Sequence, residues 1–129
     1  MVGDAQAGYS LMRYTRAPLR VRRGTTVTWE VLDPFEVHTV TFVGAGPAPA
    51  FIVPEPQAGG PPKLLLNAQV VAPTGDRVHR PGYVNSGLLV PLGAPGPRSF
   101  SLRFDRAGTY TYWCPVHAAL GMKGVVAVQ

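Results

Sequence analysis

The chain contains one cysteine, Cys114, so no disulfide can close within it and its stability must come from packing. Histidine is nearly as scarce, with His38, His79 and His117 as the full set. No apolar run approaches the roughly 20 residues that a membrane-crossing helix needs. The first residues, Met1 to Gln6, lack the basic-then-apolar order of a secretory leader. Charged residues make up only 15% of the chain, and the net charge of +5 is carried mainly by arginine, lysine being confined to Lys63 and Lys123. The arginines are scattered or lie in alternating segments (Arg20, Arg22, Arg23, Arg103, Arg106). They do not interleave with aromatics as a nucleic-acid platform would, so nucleic acid is not an expected partner. A solvated basic surface is the plainer expectation, and steering toward an acidic partner the sharper one. Internal repeats and sustained heptads are missing, and helical periodicity is weak throughout.

What is abundant is glycine (15) and proline (14) in a chain of 129 residues that is 46% hydrophobic. A chain of that length fits one domain spanning residues 1–129, with enough apolar side chains for a real core. Alternation of apolar and polar residues, the mark of a half-buried strand, recurs in several places. It runs through Leu19–Arg22, then Thr26–Val31 with Val27, Trp29 and Val31 on one face, and Val37–Phe42 with His38, Val40 and Phe42 on one face. Toward the C-terminus it returns in Ser99–Phe104, in Thr109–Cys114 and in Met122–Val128. Asp33-Pro34 and Asp105–Gly108 read as turns. Gly44 to Pro62 reads as irregular loop, Lys63 to Val71 as either a short helix or a strand, and Thr74 to Gly82 as polar loop. Tyr83 to Val90 has room for a short strand interrupted at Asn85-Ser86-Gly87. Many short strands, turn-rich connections and no long helix predict an all-β fold, a two-sheet β-sandwich with a long loop-rich insertion in its middle.

The parity of side chains along a strand also suggests a site. His38, Cys114 and Met122 all fall on the inward register, at or just beyond strand ends, so a shared inward site is geometrically open to them. Cys114-Pro115-Val116-His117-Ala118-Ala119-Leu120-Gly121-Met122 places a thiolate, an imidazole and a thioether in one loop. Taken singly, each has an ordinary explanation: a core thiol, a strand-end or loop histidine, a gap-filling methionine. Taken together as Cys-x₂-His-x₄-Met with an upstream histidine, they are the donor set of copper in a His₂Cys trigonal site with a weak axial Met. Cu(I) favours soft sulfur, Cu(II) favours imidazole, and a mixed set on a rigid scaffold serves both states with little rearrangement. Four protein ligands leave no open position for a substrate, which favours a carrier over an enzyme.

These residues also carry a family resemblance. Leu19–Trp29 with Val37–Phe42, and Ser99–Phe104 with Ala107–His117 and Met122–Val128, resemble cupredoxins of the plastocyanin/azurin type, most closely in the plastocyanin-like loop spacing. The resemblance implies a Greek-key sandwich with one type 1 copper ion at one end, His38, Cys114 and His117 as strong ligands and Met122 as the axial ligand. It implies single-electron transfer between redox protein partners, such as a cytochrome or a membrane oxidase or reductase complex, by a monomer. It also implies a periplasmic or extracytoplasmic location, with a membrane tether in the full-length protein a further option through Met1 to Ala17. The segment Gly44 to Pro97 is longer and richer in proline than a plain plastocyanin carries there.

Several second-tier expectations follow. The backbone N–H of Thr39 is the leading donor to the Cys114 sulfur, with Ser86 or Gly87 behind it. The far edge of His117 is a candidate electron port, and Pro34, Phe35, Pro115, Ala118, Ala119 and Leu120 a candidate docking patch. His79, set among charged neighbours in Gly75–Arg80, is expected at the surface. Multicopper catalysis lacks ligands, since only His79 is left over. Structural zinc does not use Met, and a cysteine-nucleophile enzyme would need an orienting third group. A copper protein for storage, delivery or sensing, or an electron-entry module of a larger assembly, remains the alternative.

Overall fold

A computed structural model describes residues 2–4, 9–14, 18–44, 46–80 and 82–129. Of the Met1 to Ala17 stretch read as a tether, residues 1, 5–8 and 15–17 lie outside the described residues, while 2–4 and 9–14 form two paired strands. The first strands are β1 (Val2–Asp4), β2 (Tyr9–Tyr14), β3 (Leu19–Val21), β4 (Thr25–Glu30) and β5 (Thr41–Phe42). Then follow β6 (Ile52–Glu55), β7 (Lys63–Leu66), the one-turn helix α1 (Ala68–Val71) and β8 (Val84–Asn85). The chain ends with β9 (Ser99–Phe104), β10 (Gly108–Trp113), a 3-10 segment over Pro115–Leu120 and β11 (Lys123–Val128).

Two sheets enclose the core. One has the order β3-β11-β10-β5-β8, with β3 parallel to β11 and β10 antiparallel to both β11 and β5. The other is the antiparallel pair β4-β9, in register at Val27↔Leu102 and Trp29↔Phe100. Alternation explains why they face each other: Val27 and Trp29 of β4, Leu102 and Phe104 of β9, and Tyr112, Val126 and Val128 of β10 and β11 join one buried cluster. Trp29 stands edge-on to Phe42 at 6.0 Å and to Tyr112 at 5.2 Å between ring centroids. Each such pair contributes about 0.5–1.5 kcal/mol beyond its burial. Close packing also dictates Gly124, which faces Tyr112 across the ladder. A Cβ there would sit 2.4 Å from the tyrosine ring. The architecture is the expected Greek-key sandwich.

The middle of the chain is more ordered than its composition suggests. Ile52–Glu55, inside the stretch read as irregular loop, pairs with Lys63–Leu66 just beyond it as an antiparallel ribbon. Lys63 to Val71 turns out to be both alternatives in succession, a strand and then a helical turn capped by Asn67, whose side chain accepts from the N–H of Gln69. A buried polar chain ties this insertion to the sandwich. Asn85 Nδ2 lies 2.9 Å from the carbonyl oxygens of Gln69, Val70 and Ala72. Its Oδ1 accepts from Thr41 Oγ1 at 2.8 Å, and Thr41 in turn lies 2.8 Å from Thr39 Oγ1. Buried polar groups satisfied in this way hold one arrangement of the strand that leads from His38.

Candidate metal centre

The site is assembled at the end of the sandwich where β10 runs into the 3-10 segment. Cys114 follows Trp113, the last residue of β10, and Pro115 begins the turn, where its missing N–H costs nothing. The His117 N–H donates to the Cys114 carbonyl at 2.9 Å, bringing the imidazole back over the thiol. Gly121 ends the turn with φ of 76°, a left-handed conformation that glycine adopts without strain, and its N–H donates to the Ala118 carbonyl. The Cys114 N–H then donates to the Met122 carbonyl at 3.1 Å, which closes the loop onto β11.

His38 arrives from the other side. Only Thr41–Phe42 of the expected Val37–Phe42 strand is continuous ladder; His38 itself forms an isolated bridge with Leu89, through N–H···O contacts of 3.0 and 2.7 Å. Both of its backbone groups are thereby held. One ligand atom from each of His38, Cys114 and His117 lies within 4.8 Å of the others, and all three side chains are buried. Cys114 Sγ is 3.5 Å from His117 Nδ1, and the two imidazole rings are 4.9 Å apart. Met122 is wholly buried, shares the hydrophobic core with Cys114 and is joined to the loop through its backbone.

Each histidine has a carboxylate beside its outer nitrogen, and that of His38 is hydrogen-bonded. His38 Nε2 lies 2.9 Å from Asp33 Oδ2, and His117 Nε2 lies 3.6 Å from Glu36 Oε2. The inner nitrogen of His38, Nδ1, is buried with no hydrogen-bond partner among the described residues. A buried polar atom left without a partner is costly, and the ring that carries it gathers with a thiol and a second imidazole. That orphaned nitrogen, beside soft sulfur, fits the residues to a copper ion.

The electrostatics agree. Burial holds the His38 imidazole below its ordinary value, outweighing the Asp33 hydrogen bond, so it stays neutral and able to ligate at neutral pH. Burial pushes the Cys114 thiol up, opposed by hydrogen bonds that include the Thr39 N–H, 3.4 Å from Sγ. Metal binding therefore releases a proton from Cys114. Thr39 is the sulfur's donor as expected, whereas Ser86 turns elsewhere: its hydroxyl accepts from the Val40 N–H and donates to the Gly87 carbonyl. Thr39 is itself fastened, its carbonyl accepting from the Tyr14 hydroxyl.

Two residues of the site were not found by reading the chain. Asp33 was legible as a turn residue, and Oδ1 does accept from the N–H groups of Phe35 and Glu36. Its second oxygen reaches His38, five residues on, and only the curl of that loop shows it. Glu36 carried no signal at all. His79, in contrast, is a correction: it is 8% exposed rather than at the surface, enclosed by Phe42, Phe104 and Tyr110. The charged neighbours that suggested exposure, Arg77 and Arg80, point outward while the imidazole turns in.

Comparison with known proteins gives a consistent picture. A family model described as copper binding proteins of the plastocyanin/azurin family matches residues 68–129. The chain is 33% identical over 130 residues to the chloroplastic plastocyanin of Tetradesmus obliquus, covering 98% of this chain and 77% of that protein. It is 55% identical to the plastocyanin of Scenedesmus fuscus over 38 residues, a stretch that covers 30% of this chain and only 38% of that protein. In fold it is similar to a mutant fern plastocyanin solved in oxidised and reduced forms, with a TM-score of 0.55 at 22% identity over 99% of this chain and 96% of that one.

Proposed function

The chain belongs to the plastocyanin/azurin family of copper-binding proteins, and from that premise we propose that it is a type 1 copper electron carrier whose ion is held by His38, Cys114, His117 and Met122. The observation that carries this reading is the unpartnered, buried Nδ1 of a His38 ring that gathers with Cys114 and His117, its Nε2 already engaged. Copper bound there supplies one-electron chemistry by cycling between Cu(II) and Cu(I). Cys114 would hold the ion as thiolate, its charge steadied by the Thr39 N–H, with His38, His117 and the Met122 thioether as the other proposed donors. The backbone bonds that pin His38, Cys114 and His117 keep these donors in place whichever oxidation state they hold, which suits a carrier and not an enzyme.

The partners are redox proteins, with a cytochrome or a membrane oxidase or reductase complex as the classes proposed, met by the chain as a monomeric domain over residues 1–129. Segments on either side of His117 present apolar side chains: Phe35 is 65% exposed and Leu120 67%. They form the proposed docking surface, with electrons passing by way of His117. The ring itself is 7% exposed and its outer nitrogen lies 3.6 Å from Glu36 Oε2, so the proposed route runs through a covered ring beside a carboxylate. A periplasmic or extracytoplasmic location, with a tether in the full-length protein, goes with this role. No helix among the described residues is long and apolar enough to cross a membrane.

Cu(II) titration followed by visible absorption, with reduction and reoxidation of the same sample, tests the proposal. An intense thiolate-to-copper band saturating at one equivalent, bleached and restored reversibly, is the expected result. Copper lost on reduction would favour storage or delivery of the ion over electron transfer.

A further inference from the structure

We infer that Asp33 is a positioning residue for His38: it fixes the imidazole in the metal-binding tautomer and lowers the reduction potential of the copper site. This rests on the copper reading above and deepens it.

The Asp33 side chain is wholly buried, and both of its oxygens are engaged. Oδ1 accepts from the N–H groups of Phe35 at 2.8 Å and Glu36 at 3.1 Å, which shapes the turn. Oδ2 lies 2.9 Å from His38 Nε2. A carboxylate can only accept, so the proton between them belongs to Nε2. In a neutral imidazole that leaves Nδ1 as a bare lone pair, and Nδ1 is the buried atom without a partner in the ring that gathers with Cys114 and His117. The Leu92 N–H also donates to the Asp33 carbonyl, at 3.0 Å, so the residue is held at its backbone too.

A turn alone would not need this. Oδ1 by itself satisfies the two turn amides, and an exposed aspartate or asparagine does that routinely. Burying the second oxygen against a histidine is costly unless the pair is well bonded, and here that bond has a direction that serves the metal. Outer partners of ligating histidines act in this way, orienting the ring and raising its basicity. A more basic imidazole, with a negative group behind it, favours Cu(II) over Cu(I) and so lowers the potential.

Asp33→Asn tests this directly. The amide oxygen keeps the Phe35 and Glu36 bonds, which sets the NH₂ group against His38 Nε2–H, donor against donor. The ring is then driven to the opposite tautomer, with its proton on Nδ1. Loss of such a partner costs roughly 10–100-fold in metal affinity. A tenfold loss for Cu(II) relative to Cu(I) would raise the midpoint potential by about 59 mV. Protein film voltammetry of the copper-loaded variant reads that shift, and long-range ¹H–¹⁵N correlation spectra of the metal-free protein read the tautomer. Expected are an Nε2–H His38 in the wild-type chain, an Nδ1–H His38 in the variant and a higher potential in the variant. An unchanged potential in a variant that still binds copper would overturn the inference and leave Asp33 a turn residue. If the variant does not fold, the wild-type spectrum decides, since an Nδ1–H tautomer there is incompatible with the assigned role. A wild-type chain that shows no blue band would instead defeat the copper reading itself, a separate outcome from either.

Discussion

His38 and His79 are both closed off from solvent and both held below the ordinary imidazole pKa by burial, yet they sit in opposite chemical settings. Around His38 are a thiol, a second imidazole and a carboxylate on the outer nitrogen. Around His79 are rings: Tyr110 at 4.4 Å, Phe42 at 4.9 Å and Phe104 stacked at 5.2 Å between centroids, beside a cavity of about 590 Å³. The two are linked through one strand, since Phe42 of β5 packs on His79 and also on Trp29 and Tyr112 of the core that carries Cys114. Burial of a histidine is therefore common to both and diagnostic of neither. What separates them is whether a thiol and a second imidazole gather at the ring while a fixed acceptor holds its outer nitrogen. At His79 the ring serves as an aromatic packing element.

The largest effect that would break this contrast is expected at Cys114. Cys114→Ser removes the sulfur that gives the site its charge-transfer band, so visible titration should show no intense blue band. Copper affinity should fall by more than the roughly 10–100-fold typical of losing an outer partner of a ligand. A retained blue band would mean that the sulfur is not a ligand. The next effect is expected at the other histidine and of a different kind. His79→Ala opens a hole among Phe42, Phe104 and Tyr110, costing about 2–4 kcal/mol by analogy with large-to-small changes in packed cores. Urea unfolding of the metal-free protein measures the cost, and the copper band at one equivalent should survive. Loss of the band would show that the two environments are not separable.

The smallest effect concerns pH. His79 has a folded-state pKa below its unfolded value because burial disfavours the charged ring. The unfolded chain therefore takes up the proton first as pH falls. The stability due to a neutral buried ring is complete above the ordinary histidine value near 6.5, declines as pH drops through it, and levels off below the folded pKa. His38 contributes with the same sign in the metal-free protein. Unfolding midpoints between pH 7.5 and 5 should fall, and His79→Leu should flatten the slope without abolishing it. An unchanged slope would show that His79 does not titrate differently in the folded state.

The strands that read most clearly along the chain are those with one buried face. In Thr26–Val31, Ser99–Phe104 and Met122–Val128 the alternation maps directly onto β4, β9 and β11, because period two is what a half-buried strand requires. The ribbon of Ile52–Glu55 and Lys63–Leu66 escaped notice for the converse reason. Ile52, Leu64 and Leu66 are exposed, so no buried face imposes a pattern, and Pro54 argues against a strand where an edge tolerates one. The spacing Cys-x₂-His-x₄-Met was informative because a single tight turn joins those residues, and local chain geometry limits where their side chains can go.

Residue types and their period were thus enough, from the sequence alone, for the sandwich, the donor chemistry and the choice of copper over zinc. These properties depend on neighbours along the chain. Tertiary structure alone decided that His38 gathers with Cys114 and His117, that Asp33 and Glu36 stand beside the two imidazoles, and that His79 turns inward to a cage of rings. Each of those facts is a contact between separate segments or a side-chain direction within a loop, and neither is encoded by a strand's alternation. Loops have no such period, so only packing fixes where their side chains point.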